Sequence, residues 1–200
     1  NAAESPNNYI DSCIKPKLKE SVDILIQRGG YIKPVLNISL DGNNIAYLCY
    51  TANYYNSCIN QNPMLITHLK NEIKNYITND LNNCFANLQS DLQNKGYNVV
   101  LSQGDFDVDL APRRIVLNIH RDMTISKNEN SQRFESFKSV LSHPIYDLAI
   151  VAQEINSQEA QYCNFESVGF MLLYSDFNIK KFKTGTLSTV YTITHKPTEK

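Results

Sequence analysis

Apolar side chains recur every three or four positions at the start of the chain, which is the spacing of an amphipathic helix. Ser5-Pro6 can open this helix, because Ser caps helix N-termini and Pro is favoured at the first helical position. Gly29-Gly30 is expected to end it. Pro16 interrupts the apolar stripe and is expected to kink the helix or to delay its start.

The same spacing predicts two further long helices. One follows Pro63 and ends at Gly96, with an apolar stripe that runs from Leu65 to Leu92. The other begins at Ser131, which can cap it, and its apolar positions run from Phe134 to Ile155. Pro144 is expected to split this last helix in two.

Between the helices, apolar and polar residues alternate with a period of two, which predicts strands. A hairpin is expected in residues 34–50, with Asp41-Gly42-Asn43-Asn44 as its turn. Two sets of three strands follow, at 97–102, 105–110 and 115–125, and at 168–175, 179–183 and 187–195.

Strands that follow one another through tight turns must pair antiparallel. The sequence therefore predicts an α+β fold, in which about three long helices pack on an antiparallel sheet made of the hairpin and two three-stranded meanders. Residues 1–200 are expected to form a single domain, with any sub-boundary near residues 128–131.

The cysteines indicate the compartment. The chain has five, none of them in a CxxC pair, which excludes a zinc ribbon or a thioredoxin-like motif. Single cysteines spread along a chain are typical of structural disulfides outside the cytosol, and the alternative is five buried free thiols. We expect Cys49, Cys58, Cys84 and Cys163 to form disulfides, with Cys49 and Cys58 the closest pair. Cys13 is then unpaired, or pairs outside this segment.

The net charge of -1 argues against a surface for nucleic acids or anionic membranes, which needs a basic excess. Asp105, Asp107 and Asp109 share one face of a predicted strand, and calcium is one interpretation of this acidic row. An EF-hand loop would need Gly after the third acid, where Leu110 stands. The favoured interpretation is a solvated or salt-bridged row, neutralised by Arg113, Arg114 or lysines, with no metal.

Other catalytic patterns are incomplete. His120-Arg121-Asp122 matches the start of a kinase catalytic loop, but Lys127 stands where Asn is required and no glycine-rich loop is present. His68 and Glu72 share a helix face and are expected to form a surface pair, because the HExxH zinc motif is missing. Cys163 beside His143 or His195 would make a thiol nucleophile, although a structural cysteine is favoured.

One segment carries a resemblance. "NNYIDSCIKPKLKESVDILIQRGGYIKP", with Tyr9 to Cys13 leading a helix that ends in Gly29 to Ile32, resembles the start of the extracytoplasmic part of uncharacterised proteins from small symbiotic archaea of the DPANN group. "QEAQYCNFESVGF" is similar to the same group. In those proteins a pilin-like hydrophobic segment precedes this region, which implies contact with a membrane only through an N-terminal anchor. The resemblance implies no catalytic residues and no cofactor.

These observations predict a non-enzymatic, disulfide-stabilised domain at the cell surface or secreted, which contacts other surface proteins or a neighbouring cell. Tyr50, Tyr54 and Tyr55 are the candidate binding residues, because Tyr offers a large amphipathic contact area; packing against the hairpin is the alternative. A secreted hydrolase is a rival, favoured by a pocket that joins His120 or His143 to an acid or a cysteine. A filament subunit or homo-oligomer is another, favoured by apolar contacts between copies.

Overall fold

A computed structural model describes residues 5–53 and 55–196. Within these residues the helices are α1 (Pro6–Gln27), α2 (Leu65–Asn94), α3 (Ile145–Tyr162) and α4 (Ser167–Leu173). The strands are β1 (Asn37–Leu40), β2 (Asn43–Ala46), β3 (Cys49–Tyr50), β4 (Ile59–Asn60), β5 (Asn98–Leu101), β6 (Asp105–Ala111), β7 (Arg114–Lys127), β8 (Asn130–Ser142), β9 (Phe177–Lys183) and β10 (Thr189–His195). The predicted α+β class is confirmed.

Helix α1 begins and ends where its sequence predicts. The Ser5 hydroxyl accepts a hydrogen bond from the Asn8 N–H at 3.3 Å, and the helix runs on through Pro16, so its start is not delayed. Gly29 and Gly30 follow with φ of 68° and 88°, a conformation that favours glycine. A Cβ at Gly29 would lie 3.0 Å from the Ala46 carbonyl oxygen, so the turn also needs a small residue.

The long strand β7 organises the main sheet. It pairs antiparallel with β8 along almost its whole length, so β5 and β6 must share its other side, one after the other. The predicted period-two pattern is confirmed, because alternate β7 side chains are buried: Ile115, Leu117, Ile119, Met123 and Ile125. The pairing with β8 shifts register between His120 and Met123, where Arg121 takes the inward position and is only partly buried. Helices α1 and α2 pack against the buried face.

Two predicted elements are wrong. Residues 131–142 are strand β8 rather than a helix, and α3 begins after Pro144 instead of being split by it. Ser139 of β8 points inward and is only 1% exposed, so a polar residue stands where the period-two pattern needs an apolar one. Its burial is tolerated because its hydroxyl donates a hydrogen bond to Asp11 Oδ1 at 2.7 Å. The strand expected at residues 168–175 is also wrong, because Ser167–Leu173 forms α4, so the second meander is reduced to the β9–β10 hairpin.

The buried apolar side chains form two clusters. The main core lies between α1, α2, the main sheet and the start of α3. A smaller cluster, the C-terminal unit, joins α3 from Val151 onwards to α4, β9 and β10, and its buried members are Val151, Ile155, Phe165 and Ile179. A sub-boundary was expected near residues 128–131, where residues 128–129 form the turn between β7 and β8. Among the described residues no helix is both long enough and apolar enough to cross a membrane.

Candidate functional site

Two disulfides cross-link the chain. Cys13 is bonded to Cys84 and joins α1 to α2 across a sequence separation of 71 residues. This corrects the expectation that Cys13 is left over. Cys49 is bonded to Cys58, and the cysteine that keeps a free thiol is Cys163, which is exposed and follows the last residue of α3.

The second bond closes residues 49–58 into what we call the disulfide ring. The short strands β3 and β4 pair at the base of this ring, with Tyr50 opposite Ile59. Helix α3 holds the base in place, because the buried Asn156 donates from Nδ2 to the Leu48 carbonyl oxygen at 2.8 Å and to Asn60 Oδ1 at 3.1 Å. The base of the ring is therefore held both by the disulfide and by α3.

The disulfide ring and the strand that follows it present apolar and aromatic side chains to solvent. Tyr50 and Ile59 are cross-strand partners on the same face and are 36% and 70% exposed, and Tyr55 is 95% exposed. The Tyr50 ring also packs edge-on against Tyr47 at 5.5 Å, so this tyrosine combines packing and exposure. The third expected binding residue, Tyr54, lies outside the described residues. Tyr50, Tyr55 and Ile59 are called the ring face below.

The acidic row on β6 is salt-bridged. Lys74 Nζ lies 3.0 Å from Asp105 Oδ1 and 3.9 Å from Asp107 Oδ1, and Lys70 Nζ lies 3.1 Å from Asp109 Oδ1. The hydrogen bond from Lys74, followed by that from the Phe106 N–H, lowers the pKa of Asp105. Both lysines belong to α2. Among the described residues no group of three or more His, Cys, Asp or Glu could hold a metal ion.

His120 adds to this row. Its Nε2 lies 3.6 Å from Asp107 Oδ2, and both side chains are largely exposed at the edge of an open depression of about 390 Å³ between α2 and the β6–β7 pair. A histidine and an acid therefore meet, as the hydrolase alternative requires. The residues that line the depression include no serine, threonine or cysteine. The guanidinium of the neighbouring Arg121 lies over the Phe85 ring, 4.8 Å from the ring centroid.

The predicted His68–Glu72 surface pair serves the turn after α1 instead. His68 Nε2 lies 3.0 Å from the Gly30 carbonyl oxygen, and Glu72 Oε2 accepts a hydrogen bond from the Ile32 N–H at 2.7 Å. The Tyr31 ring packs on the His68 ring at 4.2 Å. Both α2 side chains thus anchor the backbone that follows the glycine turn, a contact that sequence spacing within one helix could not indicate.

The structure keeps Cys163 away from His143. His143 precedes α3 and Cys163 follows it, so a helix of 18 residues, about 27 Å long, separates them. His143 is half-buried, its Nδ1 accepts the Ile145 N–H at 3.1 Å, and burial lowers its pKa. The His195 ring packs edge-on against Phe177 at 5.2 Å.

Beside its apolar cluster, the C-terminal unit has a group of partly buried polar side chains and, on α4, exposed leucines. Glu159 of α3 accepts hydrogen bonds from Tyr191 Oη and, at 3.2 Å, from Lys181 Nζ. Burial, followed by the Glu159 carboxylate, raises the pKa of Tyr191. On α4, by contrast, Leu172 and Leu173 are 80% and 81% exposed.

Comparisons of the chain with protein-family models, with curated proteins and with solved structures find no match. Two disulfides are compatible with an extracellular, disulfide-stabilised domain, because such bonds persist in oxidising compartments.

Proposed function

We propose that this chain is a contact domain outside the cell, which binds another surface protein or a neighbouring cell through its ring face. The two disulfides support the compartment, since thiols outside the cytosol are oxidised. The resemblance of residues 7–34 to extracytoplasmic archaeal domains is in line with the same proposal. We also propose that a segment preceding these residues attaches the domain to the membrane.

The observation that carries the proposal is the exposure of Tyr50 and Tyr55 on a covalently closed loop, and of Ile59 directly after it. Aromatic residues dominate the energetics of protein interfaces because they bury large areas with few rotatable bonds. A loop that a disulfide and Asn156 already restrict loses less conformational entropy when it binds. The ring face thus combines the residue types and the preorganisation that protein contacts use.

Binding of the fluorescently labelled domain to cells of the organism that produces it tests this proposal. We expect the triple variant Tyr50→Ser, Tyr55→Ser, Ile59→Ser to bind about tenfold or more weakly, because interface anchors of this kind contribute more than about 1 kcal/mol each. The matched control is Val100→Ser with Val168→Ser, whose side chains are 62% and 61% exposed elsewhere. Equal saturable binding by the triple variant and the wild type would refute the proposal.

A secreted hydrolase is the second candidate, and the contact between His120 and Asp107 is the observation that favours it. A histidine oriented by a carboxylate can act as a general base toward a water molecule. If the chain hydrolyses esters or peptides, His120→Ala should lower kcat/KM at least about a hundredfold, while the His68→Ala control should not. Turnover that survives His120→Ala would remove this candidate.

A further inference from the structure

The free thiol of Cys163 lies beside the disulfide ring. Its Sγ is 3.5 Å from the hydroxyl oxygen of Ser57, and Ser57 directly precedes the bonded Cys58. Both Cys163 and Ser57 are exposed. A free thiol thus contacts the residue next to a disulfide-bonded cysteine, although 106 residues separate Ser57 from Cys163 in the sequence.

Helix α3 brings about this meeting. Asn156, which holds the base of the ring, and Cys163 are seven residues apart, so they lie on the same side of α3 about two turns from each other. Cys163 ends the helix with a φ of 55°, and its N–H donates to the Glu159 carbonyl oxygen at 3.0 Å. The position of the thiol next to the ring is therefore fixed by the helix and its C-terminal turn.

We propose that Cys163 and the Cys49–Cys58 disulfide form an intramolecular thiol–disulfide exchange site, with Cys58 as the sulfur that is attacked. The Cys163 thiol releases its proton to solvent, and the thiolate forms a bond to Cys58 Sγ. The Cys49–Cys58 bond breaks, the electron pair leaves on Cys49 Sγ, and that sulfur takes up a proton. One S–S bond replaces another, so the step consumes no oxidant and no reductant.

Access decides which disulfide reacts. Cys84 is only 3% exposed, so a thiolate could reach the Cys13–Cys84 bond only from the half-buried Cys13, whereas Cys163 already lies beside the ring. The cysteines of the ring are half-buried, and the chain at Ser57 is open to solvent. Cys58 rather than Cys49 is the expected target because it adjoins the residue that Cys163 contacts.

Exchange would reshape the ring face. The new Cys58–Cys163 bond would tie the end of α3 to the ring and would free Cys49, which leads β3 and Tyr50, from its covalent tether. That the exchange alters partner binding rests on the proposed function, whereas the exchange itself does not. The chemical event can therefore be tested without any partner.

A matched pair of variants tests which sulfur Cys163 reaches. Cys49→Ser and Cys58→Ser each leave one ring cysteine together with Cys163, and both are incubated with oxidised glutathione at about pH 8. Mass mapping should find the Cys58–Cys163 bond at least about ten times more often in Cys49→Ser than the Cys49–Cys163 bond in Cys58→Ser. Circular dichroism and an intact Cys13–Cys84 bond check that both variants are folded. Equal yields, no internal bond, or only bonds between two chains would overturn the proposal.

The wild-type chain provides a second readout that needs no ring variant. It is held at about pH 8, quenched with acid and alkylated, because exchange requires the thiolate. We expect a fraction of chains with Cys49 alkylated and Cys58 bonded to Cys163, and no such chains in Cys163→Ser. Alkylation confined to Cys163 at every time point would contradict the exchange, while leaving the proposed contact function untouched.

Discussion

The main core and the C-terminal unit of this protein differ in how many apolar side chains they bury. The main core buries apolar side chains from α1, α2, the sheet and the start of α3, and the Cys13–Cys84 bond ties its two longest helices together. The C-terminal unit buries four side chains and leaves Leu172 and Leu173 in solvent. Small clusters supply little stability on their own, so α4, β9 and β10 should depend on their packing against α3 for their order.

Large-to-small substitutions in the two clusters should show the largest difference between them in unfolding free energy. Phe85 is fully buried and packs edge-on against Phe137 at 5.0 Å, so Phe85→Ala should lower the free energy of unfolding by about 3–5 kcal/mol. Phe165→Ala should instead release the C-terminal unit and leave the main transition in place. Urea unfolding with hydrogen exchange measures both, and equal losses of amide protection throughout the chain in the two variants would show that the clusters are one.

The disulfides provide the next contrast. In the chain-entropy model, removing Cys13–Cys84 by a double alanine substitution should cost about 4 kcal/mol, and removing Cys49–Cys58 about 3 kcal/mol, because the first bond closes a much longer loop. The first loss should appear in the main transition in urea and the second in protection of β3 and β4. The account of the core would fail if the Cys13–Cys84 pair could be removed without cost.

How far the sequence alone predicts this structure depends on whether an element's pattern is local. Helices α1 and α2 and strand β7 have apolar periods that continue past Pro16 in α1 and past Arg121 in β7, and all three elements are confirmed. In β8, Phe134, Phe137 and Val140 are three residues apart, which is a helical spacing. The inward residue Ser139 gives no apolar signal, and it can be buried because its hydroxyl bonds to Asp11 of α1. Such long-range satisfaction cannot be read from the segment itself.

The same limit applies to the candidate site. The ring tyrosines and the closest cysteine pair stand out in the sequence, since both are local features. The Cys13–Cys84 bond and the approach of Cys163 to Ser57 depend on how helices pack, and no local spacing encodes either contact. The exposed α4 leucines were mistaken for strand residues because a short apolar run fits both structures.

A smaller effect is expected from pH. Burial lowers the pKa of His143 below its ordinary value of 6.5, so the unfolded chain binds a proton there more readily than the folded chain. Stability should therefore be complete above about pH 6.5 and should fall as the pH drops from there towards the lowered pKa. Thermal unfolding of the wild type and of His143→Gln between pH 7 and 5 measures this, and the variant should show the flatter curve.

Asp11 provides the control for the range between pH 7 and 5. Burial opposes ionisation of Asp11, but hydrogen bonds from Lys15 and Ser139 outweigh it and lower the pKa of its carboxyl group. The stability from Asp11 is lost only below about pH 4, so Asp11→Asn should not change the slope between pH 7 and 5. An unchanged slope in His143→Gln would instead show that its burial has no part in the pH dependence.

The smallest effect on stability belongs to the C-terminal unit's exterior. Because Leu172 and Leu173 are exposed, changing both to Ser should alter the free energy of unfolding by less than about 0.5 kcal/mol each. If copies of the chain associate through α4, the same variant should sediment as a monomer at concentrations where the wild type does not. Val100→Ser, at 62% exposure on β5, is the control. Identical sedimentation of the variant and the wild type would remove α4 from any homo-oligomer.

The most direct test of the account is a mass map of the thiols in the native protein, isolated rapidly and quenched in acid so that exchange is arrested. The account predicts a Cys13–Cys84 bond between the two long helices, a Cys49–Cys58 bond that closes the ring, and alkylation at Cys163. A map in which all five cysteines are alkylated would contradict both the cross-linked core and the extracellular compartment.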